Sequence, residues 1–168
     1  MLITPPEALV NLLKPWADFY SHSKPAETVV TFLHIGGTLL AGGLAIAADR
    51  SSLRVLRLPA AQRTTQMKEL AALHATVLGG LTIVALSGLA LLAGDFETFF
   101  GSWIYWTKMG LVVLLLLNGL VMTRVENGLA ADASEASPHW RTLKRTSVSS
   151  MVLWFVITLA GVALVNFS

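Results

Sequence analysis

Cysteine is absent from the chain, which removes disulfides, thiolate metal sites and thiol nucleophiles together; a bacterial inner membrane is compatible with that lack. Charge is scarce as well. Only 13% of the 168 residues are Asp, Glu, Lys or Arg, about half the share usual in a soluble domain. The formal net charge of +2 is small and confined to connecting segments, so no basic stripe exists to grip a nucleic acid. The N-terminus lacks the basic start and small-residue cleavage site of a signal peptide, and the expectation is that it stays in the mature protein.

Apolar residues fill the space left by charge. They make up 54% of the chain, with a mean hydropathy of +0.65. Four stretches stand out at 28–48, 70–93, 103–123 and 148–167, each close to the roughly 20 residues that a helix needs to cross about 30 Å of hydrocarbon. The fold expected is all-α: an integral membrane four-helix antiparallel bundle over 28–168, preceded by an arm at 1–27. Glycine is concentrated in the first two spans, at Gly36, Gly37, Gly42 and Gly43 and at Gly79, Gly80 and Gly88. In lipid such residues let backbones approach, and Gly37, Ala41 and Ala45 form a small-xxx-small track for a second helix or a flat cofactor.

Basic residues set the orientation. Arg50, Arg54, Arg57, Arg63 and Lys68 separate the first two spans, and Arg124, Arg141, Lys144 and Arg145 the last two. These loops are expected in the cytoplasm, with the N-terminus and C-terminus outside. Trp103, Tyr105 and Trp106 mark the outer headgroup level. In the arm, Leu9, Leu12, Leu13, Trp16 and Tyr20 recur at helical spacing opposite Glu7, Asn11, Lys14, Asp18 and Ser21, so an interfacial amphipathic helix with a kink at Pro15 is expected. The polar, small-residue stretch Asn127 to Pro138 reads as a flexible loop.

Chemistry has to come from the few polar residues inside the spans: His34, His74, Lys108 and Asn118. Ionisable groups in a membrane are costly and mark functional sites. At 1.5 Å per residue, His34 and Lys108 lie roughly 9 Å below the outer surface, whereas His74 and Asn118 lie about 6–8 Å from the inner one. A bis-histidine haem needs both imidazoles within about 4 Å along one axis, so His34 and His74 of one chain do not share a haem. Three schemes stay open. His34 faces Lys108 or an open side; His74 serves an inner haem with Met122 or Met151; or His74 pairs with its copy in a homodimer. The bland alternatives are Lys108 snorkelling to headgroups, His74 reaching phosphate or a carbonyl, and Asn118 gluing helices by donating to a carbonyl or to His74.

The segments His34-Ile35-Gly36-Gly37, Ser87-Gly88-Leu89-Ala90-Leu91-Leu92 and Tyr105-Trp106-Thr107-Lys108-Met109-Gly110, with Leu117-Asn118-Gly119 and Ala47-Ala48-Asp49-Arg50, carry a resemblance over residues 28–123. The chain resembles a broad bacterial group of copper-resistance D proteins, J-type protoporphyrinogen oxidases and uncharacterised four-helix membrane families, and is nearest to the uncharacterised ones. The J-type oxidases bind haem b, with functional roles for the residues matching His34 and Lys108. The resemblance therefore implies that His34 and Lys108 carry over; the haem reading built on it takes His34 as the axial ligand of the iron, with His74 second, and Lys108 as sixth ligand or as partner of a propionate or a quinone oxygen. The loops, His74 and the amphipathic arm depart from those oxidases.

The expected function is a haem b-binding protein of the bacterial inner membrane, working in electron transfer or membrane redox chemistry and, if an enzyme, as an oxidoreductase. It is expected in the lipid bilayer as a homo-oligomer or as a subunit of a membrane complex. A cofactor-free anchoring or assembling subunit is the alternative, and copper or small-solute transport comes third.

Overall fold

The computed structural model describes residues 4–131 and 137–167, with side chains described outside 60–61, 64–65, 67–75 and 130–131. The described residues form six α-helices: α1 (Glu7–His22), α2 (Lys24–Val55), α3 (Ala60–Gly94), α4 (Phe96–Gly101), α5 (Trp103–Ala131) and α6 (His139–Phe167). Four of them, α2, α3, α5 and α6, are long and apolar enough to span a membrane. Their outward side chains confirm which solvent they suit. Leu39, Leu78, Leu120 and Leu159 are each more than half exposed, an arrangement that water would penalise and that lipid tails accept.

The helices outrun the apolar stretches at the basic end. α2 continues through Asp49 to Val55, and α5 continues through Glu126 to Ala131. Asn127–Ala131, read from the sequence as part of a loop, are therefore helical. Polarity alone does not end a helix, and this stretch contains no proline before Pro138. Residues 132–136 of that expected loop lie outside the described residues. At the other end, Ser23 caps α2 by accepting from the Ala26 amide at 3.4 Å, with Pro25 in the first turn, as the unpaired amides of a helix start require.

Adjacent spans run antiparallel, as their contacts show. Along α2 and α3, Ala41 meets Gly80, Gly37 meets Val84 and His34 meets Gly88. Along α2 and α6, Gly42 lies under the Trp154 ring, and nearer the basic end Asp49 of α2 lies close to Ser150 of α6. Along α5 and α6, Lys108 lies at Gly161, Asn118 at Thr146 and Gly128 at His139. The chain thus forms two helical hairpins, α2–α3 and α5–α6, joined through α2 and α6; α3 and α5 touch only sparsely. The joint is filled in two layers. Ala41, Leu115, Trp154 and Ile157 pack near mid-span, and Val55, Met122, Val125, Leu129 and Leu143 pack at the basic end. There the Arg63 guanidinium also stacks 5.0 Å from the Trp140 ring centre, linking α3 to α6.

The arm folds onto α3. α1 is helical through Pro15; the Trp16 indole donates to the Ala90 carbonyl at 2.9 Å, and the Tyr20 ring fills the space a side chain at Gly94 would need. Trp16→Phe keeps the ring and removes the donor, which is expected to cost about 1 kcal/mol and to speed hydrogen exchange in α1 while leaving α5 and α6 unchanged.

Candidate functional site

His34 projects from α2 toward α3. Its Nδ1 lies 3.1 Å from the Val84 carbonyl oxygen and 3.2 Å from Ser87 Oγ. The carbonyl only accepts, so Nδ1 carries a proton. Ser87 in turn donates its hydroxyl to the Ile83 carbonyl at 2.6 Å, which leaves its oxygen to accept from the imidazole. Neutral His34 is therefore the Nδ1–H tautomer, with the lone pair on Nε2. Gly88 makes room for the ring: a Cβ there would stand 3.1 Å from His34 Cε1. Orientation and tautomer are both fixed by α3, which is the usual support of a histidine that ligates iron or accepts a proton.

Lys108 enters from α5. Its side chain reaches α6, where Nζ lies 3.5 Å from the position of a Cβ on Gly161. Lys108 is five residues from the start of α5 and Gly161 six from the end of α6, so the two lie at matching depths of about 8–9 Å at 1.5 Å per residue. The ammonium is near enough to act electrostatically on the His34 ring. His34 is thus held by α3 and senses α5, two spans that touch only sparsely.

Asn118 has a structural task. Its Nδ2 donates to the Thr146 carbonyl at 2.9 Å, joining α5 to α6. The side chain of His74 lies outside the described residues. Met122 is buried in the apolar layer with Val55, Val125, Leu129 and Leu143, where packing accounts for it. Asn118→Ala is expected to lower stability by about 0.5–1.5 kcal/mol, the usual range for an interhelical hydrogen bond in a membrane; thermal unfolding in micelles would register that loss without a change in the environment of His34.

A second polar cluster, at the basic end, went unread in the sequence. Asp49 and Ser52 of α2, Glu126 of α5, and Ser147 and Ser150 of α6 are all buried, Asp49 being only 2% exposed and Glu126 8%. Ser150 and Glu126 both lie close to the Asp49 carboxyl. Asp49 Oδ2, Ser52 Oγ and Ser147 Oγ have no hydrogen-bond partner among the described residues. Both acids sit one to three residues beyond an apolar stretch, where a hydropathy window assigns them to loops. The detectable signal was the spacing of three in Asp49–Ser52 and Ser147–Ser150, which puts each pair on one helix face.

Among the described residues no group of three or more His, Asp or Glu side chains is placed to hold a metal ion; a porphyrin iron asks the protein for one or two axial donors. Comparison of the chain with protein-family models, curated proteins and solved structures finds no match.

Proposed function

We propose that this chain is a haem b-binding redox protein of the bacterial inner membrane, with His34 Nε2 as the axial donor. The observation that carries the reading is the hydrogen bond from His34 Nδ1 to the Val84 carbonyl, which aims an unprotonated Nε2 from a ring held between two spans. The spacing and chemistry of His34 and Lys108, and the resemblance over residues 28–123, support the same conclusion. On this reading the four spans form an antiparallel bundle in which α3 and α5 touch only sparsely, with both termini on the non-cytoplasmic face, an orientation that the basic loops favour.

Bound haem b supplies one-electron transfer. The protein's own part is to hold and tune. The Val84 carbonyl and Ser87 keep Nδ1 protonated, raising the basicity of Nε2. Lys108 places a positive charge beside the site, where it pairs with a propionate or a quinone oxygen. The apolar faces of α3 and α5 keep water away, which strengthens that charge's effect.

A second reading, a cofactor-free subunit of a larger membrane assembly, draws on one observation. Gly43, Gly79, Gly110 and Gly119 have nothing within 4 Å of an added Cβ, so these glycines serve no contact within the chain, and close packing against another helix would explain them.

The two readings separate in a spectrum. Detergent-purified protein expressed with ample haem is expected to show a Soret band, α and β bands after dithionite, and about one haem per chain by pyridine haemochrome. A colourless, monodisperse, helical preparation would overturn the haem assignment and leave the assembly subunit.

A further inference from the structure

The exposed charge of the molecule is sorted by end. Among the described residues, the acids at the basic end, Asp49 and Glu126, are buried, whereas six bases there are exposed: Arg50, Arg54 and Arg57 around the end of α2, and Arg141, Lys144 and Arg145 at the start of α6. The two ion pairs recorded among the described residues, Lys14–Asp18 and Lys24–Glu27, include none of them and lie at the opposite end. The described surface at the basic end therefore carries charge of one sign.

An orientation signal needs only bases somewhere in a loop. These bases instead lie on the faces of two neighbouring helices. Arg50 and Arg54 are four residues apart in α2, with Arg57 in the turn that follows, and Arg141 lies three and four residues before Lys144 and Arg145 in α6, so each set forms one stripe. α2 and α6 pack on one another. Val55 and Leu143 share an apolar layer, and Arg54 and Lys144 are their neighbours in sequence, which brings the two stripes to one level. Toward mid-span both stripes turn apolar. On α6 the same face continues as Val148, Val152 and Phe155, all exposed. On α2 it continues as Ala47 and Gly43, also exposed; a Cβ on Gly43 would meet nothing within 4 Å, which leaves a shallow lane below Arg50.

We infer that the basic end of α2 and α6 binds an anionic phospholipid, with its phosphate on Arg50, Arg54 and Lys144 and an acyl chain along Ala47 and Gly43. Bases above an uncovered apolar lane match the two halves of such a lipid. Five of the six bases are arginines, whose guanidinium donates two parallel hydrogen bonds to a phosphate, and a cluster of four or more bases at a membrane surface attracts anionic headgroups with a gain of severalfold in affinity for each base. A second copy of the chain suits this face less well. In a closed two-fold dimer within a bilayer both basic ends lie on the same side, so α2 against α2 would press Arg50 and Arg54 onto their own copies. The lipid would tie α2 to α6, the joint between the two hairpins.

The test uses the full chain in dodecyl maltoside micelles, with thermal unfolding followed by tryptophan fluorescence and bound lipid counted by native mass spectrometry. Phosphatidylglycerol is expected to raise Tm saturably, by about 5 °C when well above its Kd; phosphatidylcholine and inorganic phosphate are expected to leave it unchanged. Arg50→Gln with Arg54→Gln is expected to weaken phosphatidylglycerol binding about tenfold or more, while Lys14→Gln with Lys24→Gln, which removes equal charge from the opposite end, leaves it within about twofold. Gly43→Leu is expected to weaken binding at an unchanged Tm in lipid-free micelles. If the double arginine variant does not fold, Lys144→Gln with Arg145→Gln reads the same site from α6. An equal rise in Tm with phosphatidylcholine, an equal loss of binding in the Lys14 and Lys24 variant, or undiminished binding in the basic-end variants would overturn the site. A rise in Tm with inorganic phosphate matching that with the lipid, or one with polyglutamate and none with phosphatidylglycerol, would also overturn it, assigning the surface to a free anion or to an acidic protein.

Discussion

Gly80→Leu is expected to force α3 away from α2 and to cost about 3 kcal/mol or more, near the upper end for overpacking a close contact, with a fall in Tm of roughly 10 °C. The reason lies in what a side chain would meet. A Cβ on Gly80 would stand 2.9 Å from Ala41 Cβ and 3.2 and 3.3 Å from the Ala41 Cα and backbone nitrogen. No rotamer change relieves a clash with backbone, so the helix itself must move. In lipid the association of helices depends on packing, since the tails are as apolar as the leucines around them, and a displaced α2 also draws His34 away from Val84 and Ser87. The neighbouring substitution is the control. A Cβ on Gly79 meets nothing within 4 Å, so Gly79→Leu is expected to change the stability of the single chain by less than about 0.5 kcal/mol. Thermal unfolding of the pair in micelles checks the contrast, and an oligomer that dissociates only in Gly79→Leu would favour the assembly reading.

Much of this architecture was legible in the sequence because membrane spans are written in length and hydropathy. The apolar stretches at 103–123 and 148–167 both lie inside observed helices, and the glycine-rich track of the first span does face its neighbour: Gly37 and Ala41 are buried against α3. What hydropathy cannot show is which glycine of a pair faces in. Gly42 lies under Trp154 whereas Gly43 faces open space, and Gly80 abuts Ala41 whereas Gly79 does not; the difference is 100° of helix rotation, set by tertiary contacts. The helix ends were also hidden, because α2 and α5 carry Asp49 and Glu126 past the apolar windows in helical conformation. Their burial was invisible for the same reason: an acid beside arginines at a span end looks like a loop residue until the opposing helix is in place.

Of the candidate site, Asn118 meets a carbonyl, one of its two expected partners. The support of His34 could not be read in advance. Val84 contributes only its backbone oxygen, which every residue possesses, and the lateral reach of Lys108 to Gly161 depends on a glycine in a helix that lies far from it in the chain.

Lys108→Met is expected to leave haem binding in place and to lower its midpoint potential. Oxidised haem iron carries one more positive charge than reduced, so a nearby ammonium disfavours oxidation and raises the potential; removing it lowers the potential. A unit charge at a separation of about 10 Å in an effective dielectric of about 20 contributes about 1.7 kcal/mol, or on the order of 70 mV. Lys108→Arg keeps the charge and is expected to stay within about 20 mV of the parent by the same reasoning. Redox titration of the three proteins under dithionite and ferricyanide checks the sign as well as the size. A rise in potential, or equal loss in Lys108→Arg, would show that Lys108 acts through packing against Gly161.

The measurement that bears most directly on His34 is the absorption spectrum of purified His34→Gly, recorded with and without added imidazole beside His74→Ala. With His34 as the axial ligand, His34→Gly loses the Soret band, imidazole restores it by filling the vacated position, and His74→Ala stays coloured. A Soret band that survives in His34→Gly without imidazole, or that disappears in His74→Ala alone, would contradict the assignment of the iron to His34.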